Sequence, residues 1–261
     1  MAAVHFLNTS MNFPILVLFS FLGIKGLTHS LKSFFFFVIM LSLTQRTNDK
    51  LRQAYNGVSL QITFKLDRKH QRKLRHYFHG LITIHATDTI DILRSLEHRG
   101  KISWEDVNLL KEAMHEIGRS DIVKELTEYE IKRDLTLLLD LYARKILELD
   151  LHCSSVSVKR IAGHLVKLMK VVRDKVDITA ISLAVESSKD IRKALVDFED
   201  EIDCGEPTFS WNEFTMLVII AGEIIAVAYE NEELREPVMD LCSTAADELC
   251  SRMTKLGSWV S

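Results

Sequence analysis

Phe214–Ala228 reads FTMLVIIAGEIIAVA, fifteen residues that are apolar around the whole circumference of a helix except at Thr215 and Glu223. A helix of that kind cannot lie on a wetted surface; it belongs in the centre of a bundle or in a membrane. At about 1.5 Å per residue it spans roughly 22 Å, short of the ~30 Å hydrocarbon core, so the expected place is the centre of a soluble bundle. A strand over Val218–Ile220 is disfavoured, because alternation and flanking turns are missing. The remaining sequence must then supply helices to surround this one.

It does so almost without interruption after Thr44. Asp49–Ile62 is the expected first helix, and Arg68–Phe78 the second, with Leu74, Tyr77, Phe78 and Leu81 at helical spacing. Thr89 is placed to cap a helix carrying Ile90, Leu93 and Leu96, ending before Gly100. Ser103 is placed to cap a longer one, with Glu105 and Asp106 in its first turn, where the helix dipole favours acids. Val107, Leu110, Met114 and Ile117 form its apolar stripe, and Gly118 ends it. Arg119-Ser-Asp121-Ile122 opens the next helix, with Ile122, Leu126 and Tyr129 inward. Further helices are expected over Leu135–Leu149, Val156–Val176 (stripe Val158, Ile161, Leu165, Leu168, Val172), Ser187–Asp203 and from Pro237 to about Leu256, with a break at Gly205-Glu-Pro207. Three prolines and ten glycines are too few for collagen or a turn-rich β-sandwich. Cys153, Cys204, Cys242 and Cys250 form no CxxC pair and no zinc spacing, which excludes a disulfide scaffold and a zinc module and suits reduced, packed thiols. The expected architecture is all-α: two helical bundles, 45–132 and 133–261, behind a hydrophobic segment, 1–44.

That segment carries apolar runs at 13–24 and 34–43, each too short for a spanning helix, with Lys25, His29 and Lys32 between them. No Lys or Arg precedes Phe13, so it lacks the basic start of a secretory signal. A membrane-associated hairpin, an atypical anchor and sequence outside the folded protein all remain open.

Net charge is −3, yet it hides an asymmetry. Arg46–Arg75 holds nine Lys/Arg against Asp49 and Asp67, whereas Asp197–Glu248 holds fifteen acids against Arg235. The two ends are therefore able to dock on each other. The run Lys65–Arg75 is of a kind that touches nucleic acid or anionic lipid, or else is a solvated helix face for an acidic protein partner; without Gly/Arg repeats, interleaved stacking aromatics or a zinc-finger pattern, nucleic acid is disfavoured.

The stretch Ile90–Glu97, Gly100-Lys-Ile-Ser, Val107–Glu112 and Gly118-Arg119-Ser-Asp121-Ile122 resembles the last three helices of a death effector domain, with Arg119-x-Asp121-Ile122 matching the family's Arg-x-Asp-Leu. The resemblance implies a six-helix death-fold bundle and a surface charge triad joining Arg119 and Asp121 to an acid on the second helix. That helix is basic here, and Asp67 at its start is the nearest acid. Arg119, Asp121, Ile122 and Asp67 are the effector-surface candidates.

Phe209-Ser-Trp211-Asn-Glu213 opening the apolar helix, Ala221-Gly222 ten residues on, Ile161-Ala162-Gly163 before it and Pro237–Met253 after it resemble the ordered homology regions of the Bcl-2 family. The resemblance implies a bundle around a central helix and a groove for an amphipathic helix near Trp211, Asn212, Glu213, Phe214, Ala221 and Gly222. The family's Gly-Arg after the tryptophan is replaced by Asn212-Glu213, an acid that would repel an incoming aspartate. His164 and Lys159 depart from the family's third region, and the sequence stops before its Asn-Gly-Gly-Trp and tail, so the expected bundle is C-terminally truncated.

No GxGxxG, P-loop, HExxH or GxSxG occurs, and His76 and His79 have no further ligand nearby in sequence. The expectation is therefore a non-enzymatic regulator of apoptosis with no metal or cofactor. It would be cytoplasmic, with attachment to a mitochondrial or endoplasmic-reticulum membrane open to it. By resemblance, its partners are effector-domain proteins, such as the adaptor FADD and initiator-caspase prodomains, and Bcl-2-family proteins or their amphipathic helices. The alternatives are a membrane-associated helical structural or trafficking protein, reached through residues 13–43, and a basic nucleic-acid-binding module.

Overall fold

The computed structural model describes residues 27–83, 85–148, 156–173, 188–202, 210–230 and 238–256, with side chains from Gln45 onward. Among these residues all regular structure is helical. The run at 13–24, the break at 205–207, Pro237, Cys153 and Cys204 lie outside the described residues, as do the side chains of 34–43.

Nine helices are described: α1 Leu27–Lys65, α2 Arg68–Tyr77, α3 Thr89–His98, α4 Asn108–Glu116, α5 Ser120–Ile146, α6 Val156–Arg173, α7 Ser188–Ile202, α8 Trp211–Glu230 and α9 Val238–Leu256. The chain divides into two compact units, residues 1–48 and 49–261. Within the second, Tyr55, Ile62, Leu74, Phe78, Ile92, Leu96, Leu110, Met114, Ile122, Leu126 and Tyr129 are buried in one cluster drawn from α1 to the first part of α5. A second set of buried residues surrounds α8, which packs against α5, α6, α7 and α9. Its core residues run from Phe214 through Leu217, Val218, Ile220, Ala221, Ile224 and Ile225 to Tyr229.

The helices depart from expectation in six places. The helix from Arg119 and that over Leu135–Leu149 are one continuous α5, which crosses 132–133. No glycine or proline interrupts it, and the hydroxyls of Thr127 and Thr136 donate back to the carbonyls of Val123 and Lys132 (2.9 and 2.8 Å) rather than breaking the helix. Residues 45–132 contribute five helices where six are expected, since the described residues between Phe78 and Asp88 form turns and irregular chain.

Asp88, not Thr89, caps α3: its Oδ1 accepts from the Asp91 amide at 2.8 Å. The inward stripe of α3 is Thr89, Ile92, Leu93 and Leu96, all buried, while Ile90 is exposed. Similarly, α6 buries Val158, Ala162, Leu165 and Val172 and leaves Leu168 at its rim.

Ser103 Oγ accepts from the amides of Glu105 and Asp106 (both 3.2 Å), but this closes a turn and α4 begins later, at Asn108. Finally, α8 has 20 residues, about 30 Å at 1.5 Å each, so length does not keep it out of a bilayer. By length and composition it is the one helix among the described residues that could cross a membrane, and 67% of the Trp211–Tyr229 span is buried inside the protein.

Candidate interaction surfaces

The effector-surface candidates converge where α1 ends and α5 begins. Gly118 takes a positive φ of 82°, closing α4 and reversing the chain, and the Arg119 amide donates to the Met114 carbonyl at 2.8 Å. Arg119 thus becomes the first flanking residue of α5. Its Nε and Nη2 donate to Asp121 Oδ1 and Oδ2 (2.9 and 2.6 Å), a bidentate pair. Its Nη1 donates to the Lys65 carbonyl at 2.6 Å, satisfying one of the acceptors left over at the end of α1. The guanidinium is 14% exposed and the Asp121 carboxylate 54% exposed. Arg119's hydrogen bonds hold the Asp121 carboxyl down at about 2.

Asp67 caps α2, accepting from the His70 amide and ring Nδ1 (both 2.8 Å). These bonds lower its pKa, while the hydrogen bond to Asp121, with the charges of Asp121, Asp67 and Glu125, raises that of Arg119. Arg119, Asp121 and Asp67 therefore share one electrostatic cluster, with Asp67 at the mouth of the second helix. Ile122 is fully buried among the core residues and offers no surface contact. The ion pair of Lys65 with Glu125 completes the cluster; those two are sixty residues apart, and no local pattern announces them.

The helix-groove candidates separate. Trp211 is 42% exposed, its ring edge-on to the buried Phe214 ring (84°, centroids 5.6 Å apart), and Asn212 is exposed. Glu213 folds back on Ser210: its carboxylate accepts from the Ser210 amide, while the Glu213 amide donates to Ser210 Oγ at 3.3 Å. This reciprocal capping box is written in the sequence as Ser-x-x-Glu. Phe214, Ala221 and Gly222 are inside the bundle. A Cβ at Gly222 would overlap the ring of Tyr142, so α5 and α8 approach each other closely at this glycine.

Basic and acidic regions do touch. Lys50 of α1 pairs with Asp240 of α9, and Lys132 of α5 pairs with Glu128 and with Asp247 of α9 (both 3.1 Å). A cavity of about 370 Å³ between α1, α5 and α9 is lined by Leu51, Val58, Tyr129, Lys132, Met239 and Asp247, among others. Deeper in, Asp140 of α5 accepts from Arg144 Nε at 2.9 Å and from the Tyr229 hydroxyl, and the Tyr142 hydroxyl donates to Glu223 at 3.1 Å. Nothing in the helical periodicity points to this buried polar layer.

Cys242 and Cys250 are buried free thiols; burial raises both, Cys250 to about 11. Among the described residues no three His, Cys, Asp or Glu side chains group to hold a metal ion. In comparison with known proteins, no family model, no curated protein and no solved structure matches this chain.

Proposed function

We propose that the chain is a non-enzymatic helical adaptor of apoptosis signalling, with an effector-domain-like part over 45–132 and a Bcl-2-like part over 133–261, joined through α5. The observation that supports the first part most is the Arg119–Asp121 pair. A bidentate guanidinium, tethered to the end of α1, presents a half-exposed carboxylate beside Asp67. Such a fixed pattern of one cation and two acids suits pairing with an opposite-charge patch on another effector domain, such as that of FADD or an initiator-caspase prodomain, where charge complementarity sets register.

The expected result is that Arg119→Glu abolishes co-precipitation with an effector domain while helical circular dichroism is retained. Pairing that survives the charge reversal removes this assignment.

Trp211 supports the second part: an exposed aromatic stacked edge-on above Phe214 is a ready anchor for the apolar face of an amphipathic helix. Titration of the full-length protein with fluorescent peptides of the family's third homology region should saturate at micromolar concentration or below and weaken at least tenfold in Trp211→Ala. A flat titration leaves the Bcl-2-like part as a scaffold for the first.

A further inference from the structure

We propose that α2 is a docking face for anionic phospholipid headgroups, an assignment that does not rest on the effector-domain reading. Positions 68–87 contain no acid, and Arg68, Lys69, Arg72, Lys73 and Arg75 fall within two turns. α2 is fastened to the core by Leu74 and by Phe78 just beyond it, both fully buried, whereas Arg68, Lys69, Arg72, Lys73, Arg75, His76 and Tyr77 are all exposed. The acid nearest in sequence, Asp67, is occupied with the cap and with the His70 ring. Among the described residues Arg68, Lys69, Arg72 and Lys73 are held in no ion pair, so their charge is available to a partner.

Immediately before α2, the last turns of α1 expose Leu60 (51%) and Phe64 (81%), four residues apart and so on one side of that helix. Large apolar side chains so exposed within a few residues, in sequence, of a cluster of cations fit a surface with charge outside and hydrocarbon just beneath. Duplex nucleic acid offers charge but no apolar layer, and the run lacks the interleaved aromatics of a single-strand platform. An anionic leaflet also suits a polypeptide whose own sequence carries the apolar runs 13–24 and 34–43. Each basic residue near such a leaflet strengthens binding roughly fivefold, so four of them multiply to about 10²–10³-fold at low salt.

The test is flotation of the full-length protein with vesicles of pure phosphatidylcholine and of phosphatidylcholine with about a third phosphatidylserine. The ratio of the two partition coefficients cancels any attachment through the apolar N-terminus. That ratio should be on the order of 10² in low salt, collapse in about 0.5 M salt, and fall close to one in the quadruple variant Arg68→Gln, Lys69→Gln, Arg72→Gln, Lys73→Gln. Glutamine keeps helix propensity, and circular dichroism verifies that the variant is folded. A ratio near one in the wild type, or one that the variant leaves unchanged, overturns the proposal. So does tighter binding to an oligonucleotide than to the anionic vesicles at equal phosphate concentration, which would reassign the face to nucleic acid.

Discussion

Gly222→Ala is expected to lower stability by about 3 kcal/mol or more, shifting Tm down by roughly 6–12 °C in a unit of this size. The sign is what makes the measurement informative. In the interior of an ordinary helix the same replacement raises stability by about 0.5–1 kcal/mol, because glycine has the higher backbone entropy to lose. Here the new methyl would run into Cδ1 and Cε1 of the Tyr142 ring. That ring cannot swing away easily: Tyr142 is fully buried, and its hydroxyl is bonded to Glu223 one residue along α8. Relief therefore requires α5 and α8 to separate, which loosens their packing around Gly222. Urea titration of the wild type and the variant measures the loss. Tyr142→Ala in both backgrounds tests the cause, because the penalty of Gly222→Ala should largely vanish once the ring is gone. A variant as stable as the wild type, or more so, means that the two helices do not meet at this glycine.

What the sequence makes legible follows from which interactions are local. Helix existence follows from periodicity: every helix read from residue spacing between Asp49 and Leu256 falls within a described helix, two of them merged in α5, and α8 is central as its all-round apolarity requires. Boundaries are less legible wherever two caps compete. Asp88 and Thr89 are adjacent and both suitable; the cap falls on Asp88, and Thr89 goes inward in place of Ile90. Ser103 offers a sound cap, but a turn takes it first. The continuity of α5 is hidden for another reason. Its first part faces one set of buried residues and its second part another, so its apolar stripe changes side and reads as two helices. At the candidate surfaces, Arg119 and Asp121 pair because they stand two positions apart and the helix start fixes both. Asp67, Lys65 and Glu125 join them only through the tertiary fold. Ala221 and Gly222 are legible as a motif, but their partner, Tyr142, is eighty residues away and carries no mark of it.

The same limitation applies to the buried polar layer, where the largest electrostatic effect is expected. Asp140 is buried against Arg144, one turn further along α5, and against the Tyr229 hydroxyl, with the Arg144 guanidinium 5.9 Å from the Tyr229 ring centre. Burial pushes the Asp140 carboxyl above the usual carboxylate range, against the opposing pull of Arg144 and Tyr229. Arg144→Met removes the main opposing charge and should cost about 3–5 kcal/mol at pH 7, because it strands a buried carboxylate. Adding Asp140→Asn, which still offers Tyr229 an acceptor, should recover most of that loss. The dependence on pH separates stranded charge from lost packing. With its counterion gone, Asp140 rises further above its unfolded value of about 3.9, so in the window between them the folded state binds the extra proton. Stability of Arg144→Met relative to the double variant must therefore increase as pH falls from 7 through the folded pKa, and level off below the unfolded one. Thermal unfolding of both variants between pH 7 and 4 reads this difference directly. Parallel curves would mean that the cost of losing Arg144 is packing alone and that Asp140 carries no uncompensated charge.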